Sequence, residues 1–90
     1  MAHTIRKKKK LIARVRRIAG QIEAVERALE TETECADVLQ LIASVRGAVN
    51  GLMAEVMEDH VREHVLDAAG PAQRAKGADE LVEVLKAYLK

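Results

Sequence analysis

Four side chains in this sequence are suited to hold a soft or borderline metal ion: His3, Cys35, His60 and His64. His60 and His64 stand four residues apart, so on a helix they share one face and could chelate one ion. Cys35 is the only cysteine. A lone thiol excludes an internal disulfide and suits a reducing cytoplasm. A thiolate with imidazoles favours Ni(II), Co(II), Zn(II) or copper over Mg(II) or Ca(II). Met1 precedes the small Ala2. Removal of Met1 is expected to expose the Ala2 amine, which with His3 adds two donors on an N-terminal arm. More than four donors would favour an octahedral ion over tetrahedral zinc. No catalytic set accompanies these groups. The sequence has no glycine-rich phosphate loop, and its only serine, Ser44, has no His or Asp placed to activate it. An enzyme is therefore not expected.

The elements that must position these donors are helical. Leu11, Val15, Ile18, Ile22, Val25 and Leu29 follow a heptad spacing, which predicts a first helix from about Ile5 to Glu30. Thr31 followed by Glu34 fits a capping box that opens a second helix. Val38, Ile42, Val45, Val49, Leu52 and Val56 repeat the spacing, and no proline interrupts the pattern before about Val65. Residues 67–77 read as a loop around Gly70 and Pro71. A short third helix follows, with Asp79 as its cap and Leu81, Val82, Leu85, Tyr88 and Leu89 on one face. The expected fold is all-α, one domain over residues 1–90. With no Phe or Trp and one Tyr, the core must be aliphatic. Chains this small often need staples or oligomerisation. No apolar run approaches the roughly 20 residues of a membrane span, and no apolar stretch follows the basic N-terminus as in a secretory signal.

The second helix would be about 50 Å long, more than one small chain can cover. Cys35 and His60 lie at its two ends, about 37 Å apart by helix rise. One chain cannot join them, but two antiparallel copies of the helix can. Pairing Cys35 with His60 centres the two-fold between Gly47 and Ala48; pairing it with His64 centres it between Val49 and Asn50. Gly47 and Gly51 are small, one turn apart and beside that centre, as a close crossing of two backbones requires. The expectation is an isologous dimer with two sites. Each takes Cys35 from one chain and His60 and His64 from the other.

Charge is segregated along the chain. Arg6, Lys7, Lys8, Lys9, Lys10, Arg14, Arg16 and Arg17 place eight of the fifteen basic residues in one acid-free stretch, and all fourteen acids lie elsewhere. Lys7, Lys10, Arg14 and Arg17 form a stripe along the first helix, an electrostatic footprint for nucleic-acid phosphates. Without interleaved aromatics, stacking on single strands is not expected. Without Trp or Phe anchors, a membrane-surface helix is disfavoured. Double-stranded DNA read through backbone and shape is the expected partner.

Three motifs carry a resemblance to a known family: RVRRIAGQ at residues 14–21, ECA at 34–36 and VRGAVNGLM at 45–53. Together they look like the CsoR/RcnR/FrmR family of small ligand-responsive transcriptional repressors. The resemblance covers nearly the whole chain and weakens at residues 66–78. It implies a three-helix protomer, an antiparallel dimer core forming a four-helix bundle, and a flat homotetramer whose basic faces bind operator DNA in the cytoplasm and release it when ligand binds. By resemblance, Arg14 and Arg17 contact DNA; Lys7 and Lys10 are added from the stripe.

Branches of this family differ at the positions of His3, Cys35, His60 and His64. The set here, with the opening MAHTIR, resembles the nickel- and cobalt-responsive branch. There the terminal amine, His3, Cys35 and His64 hold metal, and His60 joins for cobalt. The copper branch has a second cysteine where this chain has His64, and the persulfide branch needs two cysteines. The resemblance thus implies a repressor released by Ni(II) or Co(II), or by Zn(II). The alternative is the formaldehyde-responsive branch, which residues 14–29 and 53–56 also resemble. Its sensing reaction would join the Ala2 amine to Cys35. That branch has proline at the position of Ala2 and, at the position of His64, a residue that is usually not a metal ligand.

Overall fold

The computed structural model describes residues 5–90. Its helices are α1 (Ile5–Glu30), α2 (Cys35–Val61) and α3 (Pro71–Tyr88), and a π-helical turn at Arg62–Leu66 continues directly from α2. Among the described residues there is no strand, as the periodicity predicts. No described helix is long and apolar enough to cross a membrane. Two compact units divide the chain, one ending at Met53 and the other running over Ala54–Lys90.

In the first unit, α1 and the start of α2 form a hairpin. Arg14 Nη2 lies 2.6 Å from where a Cβ on Gly51 would sit. Arg14 and Gly51 are equally far from the middle of the connection at residues 31–34, the register of an antiparallel pair. Each heptad seam has two edges. On α1, Ile18 is buried and Leu11 and Val25 are half-buried, whereas Val15, Ile22 and Leu29 are 50%, 53% and 63% exposed. On α2, Val38 is buried and Val45 and Leu52 are half-buried, whereas Ile42 and Val49 are exposed. The hairpin consumes one edge of each seam and leaves the other in solvent.

The connection departs from the predicted capping box. Thr33 N–H donates to Ala28 O (3.0 Å) and Glu32 N–H to Leu29 O (3.3 Å), with Glu32 at φ 56°. This is a Schellman ending with glutamate in the left-handed position usually given to glycine. The Thr31 hydroxyl donates back to Arg27 O at 2.9 Å, so it closes α1 rather than opening α2. Glu34 starts α2 through its carbonyl, which accepts from Asp37 and Val38 N–H.

In the second unit, the predicted loop over residues 67–77 shrinks to residues 67–70. Gly70 is extended and serves as N-cap, and Pro71 takes the first helical position, where its missing N–H is no loss. The first helical bond of α3 runs from Arg74 N–H to Gly70 O at 2.9 Å. Asp79 is therefore mid-helix and caps nothing. Gly77 is not a loop residue but a buried position inside α3. A Cβ there would overlap the His64 carbonyl group, so α3 and the π-turn approach closer than any side chain at 77 would permit. Of the predicted apolar face, Leu81 and Leu85 are half-buried, and Val82, Tyr88 and Leu89 are exposed.

Glu32 carries a left-handed backbone that costs an L-residue about 1–2 kcal/mol. Glu32→Gly is expected to stabilise the protein by up to ~1 kcal/mol after glycine's entropy loss. Urea unfolding at unchanged m-value would read this out; a loss of stability would contradict the assigned helix ending.

Candidate functional site

Local structure brings His60 and His64 together. His60 stands in the last turn of α2 and His64 in the π-turn. Their ring centroids are 4.8 Å apart, with planes inclined by 40°. His60 Nε2 lies 2.8 Å from Gly77 O. A carbonyl oxygen only accepts, so Nε2 carries the proton and the neutral ring keeps its lone pair on Nδ1. This is the arrangement of a metal-binding histidine oriented by a backbone carbonyl through its other nitrogen. Glu80 Oε1 is 3.9 Å from the same Nε2, an electrostatic neighbour rather than a hydrogen-bond partner. His64 Nε2 is 3.7 Å from Glu63 Oε2, and the side chain is 39% exposed. His64 borders an open cleft of about 230 Å³ lined also by Gln73, Lys76, Gly77 and Glu80.

The remaining predicted donors are Cys35, His3 and the Ala2 amine. Cys35 is the first residue of α2, with a free, exposed thiol. Cys35 belongs to the first compact unit, and His60 and His64 belong to the second. Ala2 and His3 lie outside the described residues. Among the described residues of one chain, no group of three or more His, Cys, Asp or Glu side chains is placed to hold a metal ion.

The basic stripe is split. Lys10 and Arg17 are exposed, as are Lys9 and Arg16, while Lys7 and Arg14 are half-buried. The Arg14 guanidinium rests over Gly51. Gly51 thus has a use inside the chain, whereas a Cβ on Gly47 would enter open space. No acidic residue occupies the first turn of α1. Cations at a helix N-terminus oppose the helix dipole, so the basic run weakens the helix that bears it.

Gly77 is the site residue that sequence reasoning missed. The usable signal was the Gly70–Pro71 pair, which marks an N-cap and first helical position as readily as a turn. A helix started there places Gly77 in its interior, where glycine calls for a packing reason.

Residues 7–87 match the family model described as metal-sensitive transcriptional repressor. The chain is 48% identical over its full length to the full-length transcriptional repressor RcnR of Salmonella paratyphi B. Among solved structures, a variant of the formaldehyde-responsive regulator FrmR from Salmonella enterica serovar Typhimurium superposes with a TM-score of 0.85 at 48% identity, covering 97% of this chain and 99% of that one. The copper-sensing repressor CsoR with Cu(I) from Geobacillus thermodenitrificans shares the fold, with a TM-score of 0.92 at 24% identity over 100% of this chain and 94% of that one.

Exposure of Cys35 has a direct consequence. One thiol per chain is expected to react with a chromogenic disulfide reagent in folded, reduced protein without denaturant. A thiol that titrates only after unfolding would contradict the exposed placement.

Proposed function

The chain belongs to the family of metal-sensitive transcriptional repressors, and from that premise we propose that it is a cytoplasmic repressor released from operator DNA by Ni(II) or Co(II), or by Zn(II). The observation that carries this reading is the histidine pair, with His60 Nε2–H held on Gly77 O. That bond leaves Nδ1 of His60 as its free donor beside His64. Imidazoles and a thiolate suit these metals. Cys35, His60 and His64 would hold the ion, joined by His3 and the Ala2 amine. The family is one of repressors rather than enzymes.

Assembly completes the site in this proposal. Exposed Val15, Ile22, Leu29, Ile42 and Val49 are the surface a second copy would bury, at roughly 1.5–3 kcal/mol for each side chain fully covered. Antiparallel pairing of α2 about Gly47 brings Cys35 of one protomer to the histidines of its partner, and two such dimers make the flat homotetramer. DNA is held by Lys7, Lys10, Arg14 and Arg17. The N-terminal arm runs directly into α1 and its basic residues. Capturing the arm at Cys35 and the histidines therefore moves the DNA-binding face. Release requires that the metal bind more tightly to the conformation with low DNA affinity.

Identity does not choose between metal and aldehyde, since the RcnR and FrmR relatives are equally distant. His64 supports metal. The exposed Cys35 thiol supports the second reading, a formaldehyde-responsive repressor. In that reading the Ala2 amine and Cys35 thiol condense with one formaldehyde, and water leaves as a methylene bridge joins N to S.

Ni(II) or Co(II) is expected to weaken operator binding of the purified, reduced protein. His64→Leu should abolish that response while the metal-free protein still binds DNA. If neither metal acts and formaldehyde adds about 12 Da as an Ala2–Cys35 cross-link, the second reading replaces the first. The dimer axis has its own test. On an exposed helix, Gly47→Ala would stabilise by nearly 1 kcal/mol. At a two-fold crossing the added methyl should instead weaken the dimer, as sedimentation equilibrium would show.

A further inference from the structure

We infer that Gly77 is a positioning residue for the histidine pair, registering His60 through its carbonyl and His64 through its missing side chain. Glycine is a poor choice seven positions into α3, where most residues would favour the helix more. It is nevertheless buried there. A Cβ built on it would overlap the His64 carbonyl oxygen and lie 2.7 Å from the His64 carbonyl carbon and 2.9 Å from the His64 Cβ. The obstruction is backbone, which cannot rotate aside as a long side chain would. The same residue's carbonyl accepts the His60 Nε2 proton at 2.8 Å.

One further bond closes the turn on itself and another holds it against α3. Asp67 N–H closes the π-turn on Arg62 O at 2.9 Å, and Arg74 Nε–H donates to Val65 O at 3.2 Å. Any residue other than glycine at 77 must lift α3 from the π-turn by an ångström or more. That stretches the His60 bond past hydrogen-bonding range and frees the ring to turn. The consequence for metal uptake rests on the function proposed above; the consequence for the His60 ring does not.

The test uses Gly77→Ala, with Ala87→Gly, at an exposed position of the same helix, as the control for helix propensity. Long-range proton–nitrogen spectra of metal-free, nitrogen-15-labelled protein report which imidazole nitrogen is protonated. In the unmodified protein His60 should be the Nε2–H form with a hydrogen-bonded, exchange-protected proton. Gly77→Ala should lose that signature and bind Co(II), added as the metal alone, at least about tenfold more weakly; Ala87→Gly should keep both. Retention of the His60 signature and of Co(II) affinity in Gly77→Ala would overturn the inference. So would absence of the signature from the unmodified protein, a measurement that stands even if Gly77→Ala fails to fold. If no Co(II) binds but the His60 signature is present and responds to Gly77→Ala as expected, the positioning role holds and the metal reading fails.

Discussion

Two long helices carry apolar seams that are each wider than one neighbour can cover, and the rest of this molecule follows from that mismatch. Packing α1 on α2 buries the edge that includes Ile18 and Val38 and leaves Val15, Ile22, Leu29, Ile42 and Val49 in water. An aliphatic core without Phe or Trp has few large side chains with which to compensate. The cheapest cover is another copy with the same uncovered stripe, because an isologous contact satisfies both chains at once. On this account the protomer is half of a fold.

The chemistry is divided in the same way. α3 and the π-turn pre-arrange two imidazoles within one chain, because a glycine lets their backbones touch and its carbonyl takes one ring proton. The thiol sits at the opposite end of α2. The proposed site, whose parts meet only across protomers, would respond to ligand by changing how protomers and arms are held. That is what a regulator of DNA binding needs. The basic run on α1 opposes its own helix dipole, a cost that the proposed contact with DNA would offset.

Much of this was legible in the sequence, and the failures have physical reasons. The bounds of α1 and the seams were readable because heptad spacing without proline is a strong local signal. The histidine pair was readable because i and i+4 meet on any helix. Thr31 was misread because one hydroxyl can serve the helix that ends or the helix that begins, and neighbouring backbone decides. The start of α3 was misread because Gly–Pro serves turns and helix starts alike. Gly77 owes its role to a backbone thirteen residues away in sequence, which no local pattern reports. Gly51 has a second use that the spacing does not report, since it seats Arg14 of its own chain.

The proposed sensing site combines Cys35 of one protomer with the histidines of its partner. Chains carrying Cys35→Ala and chains carrying His64→Leu each lack every complete site. After mixing and exchange, a heterodimer regains one complete site of two, since one protomer keeps its cysteine and its partner keeps its histidines. Cobalt–thiolate absorption should be absent from either variant alone and return on mixing to about a quarter of the unmodified amplitude for random exchange. Fully exchanged chains that show no recovery would contradict the account.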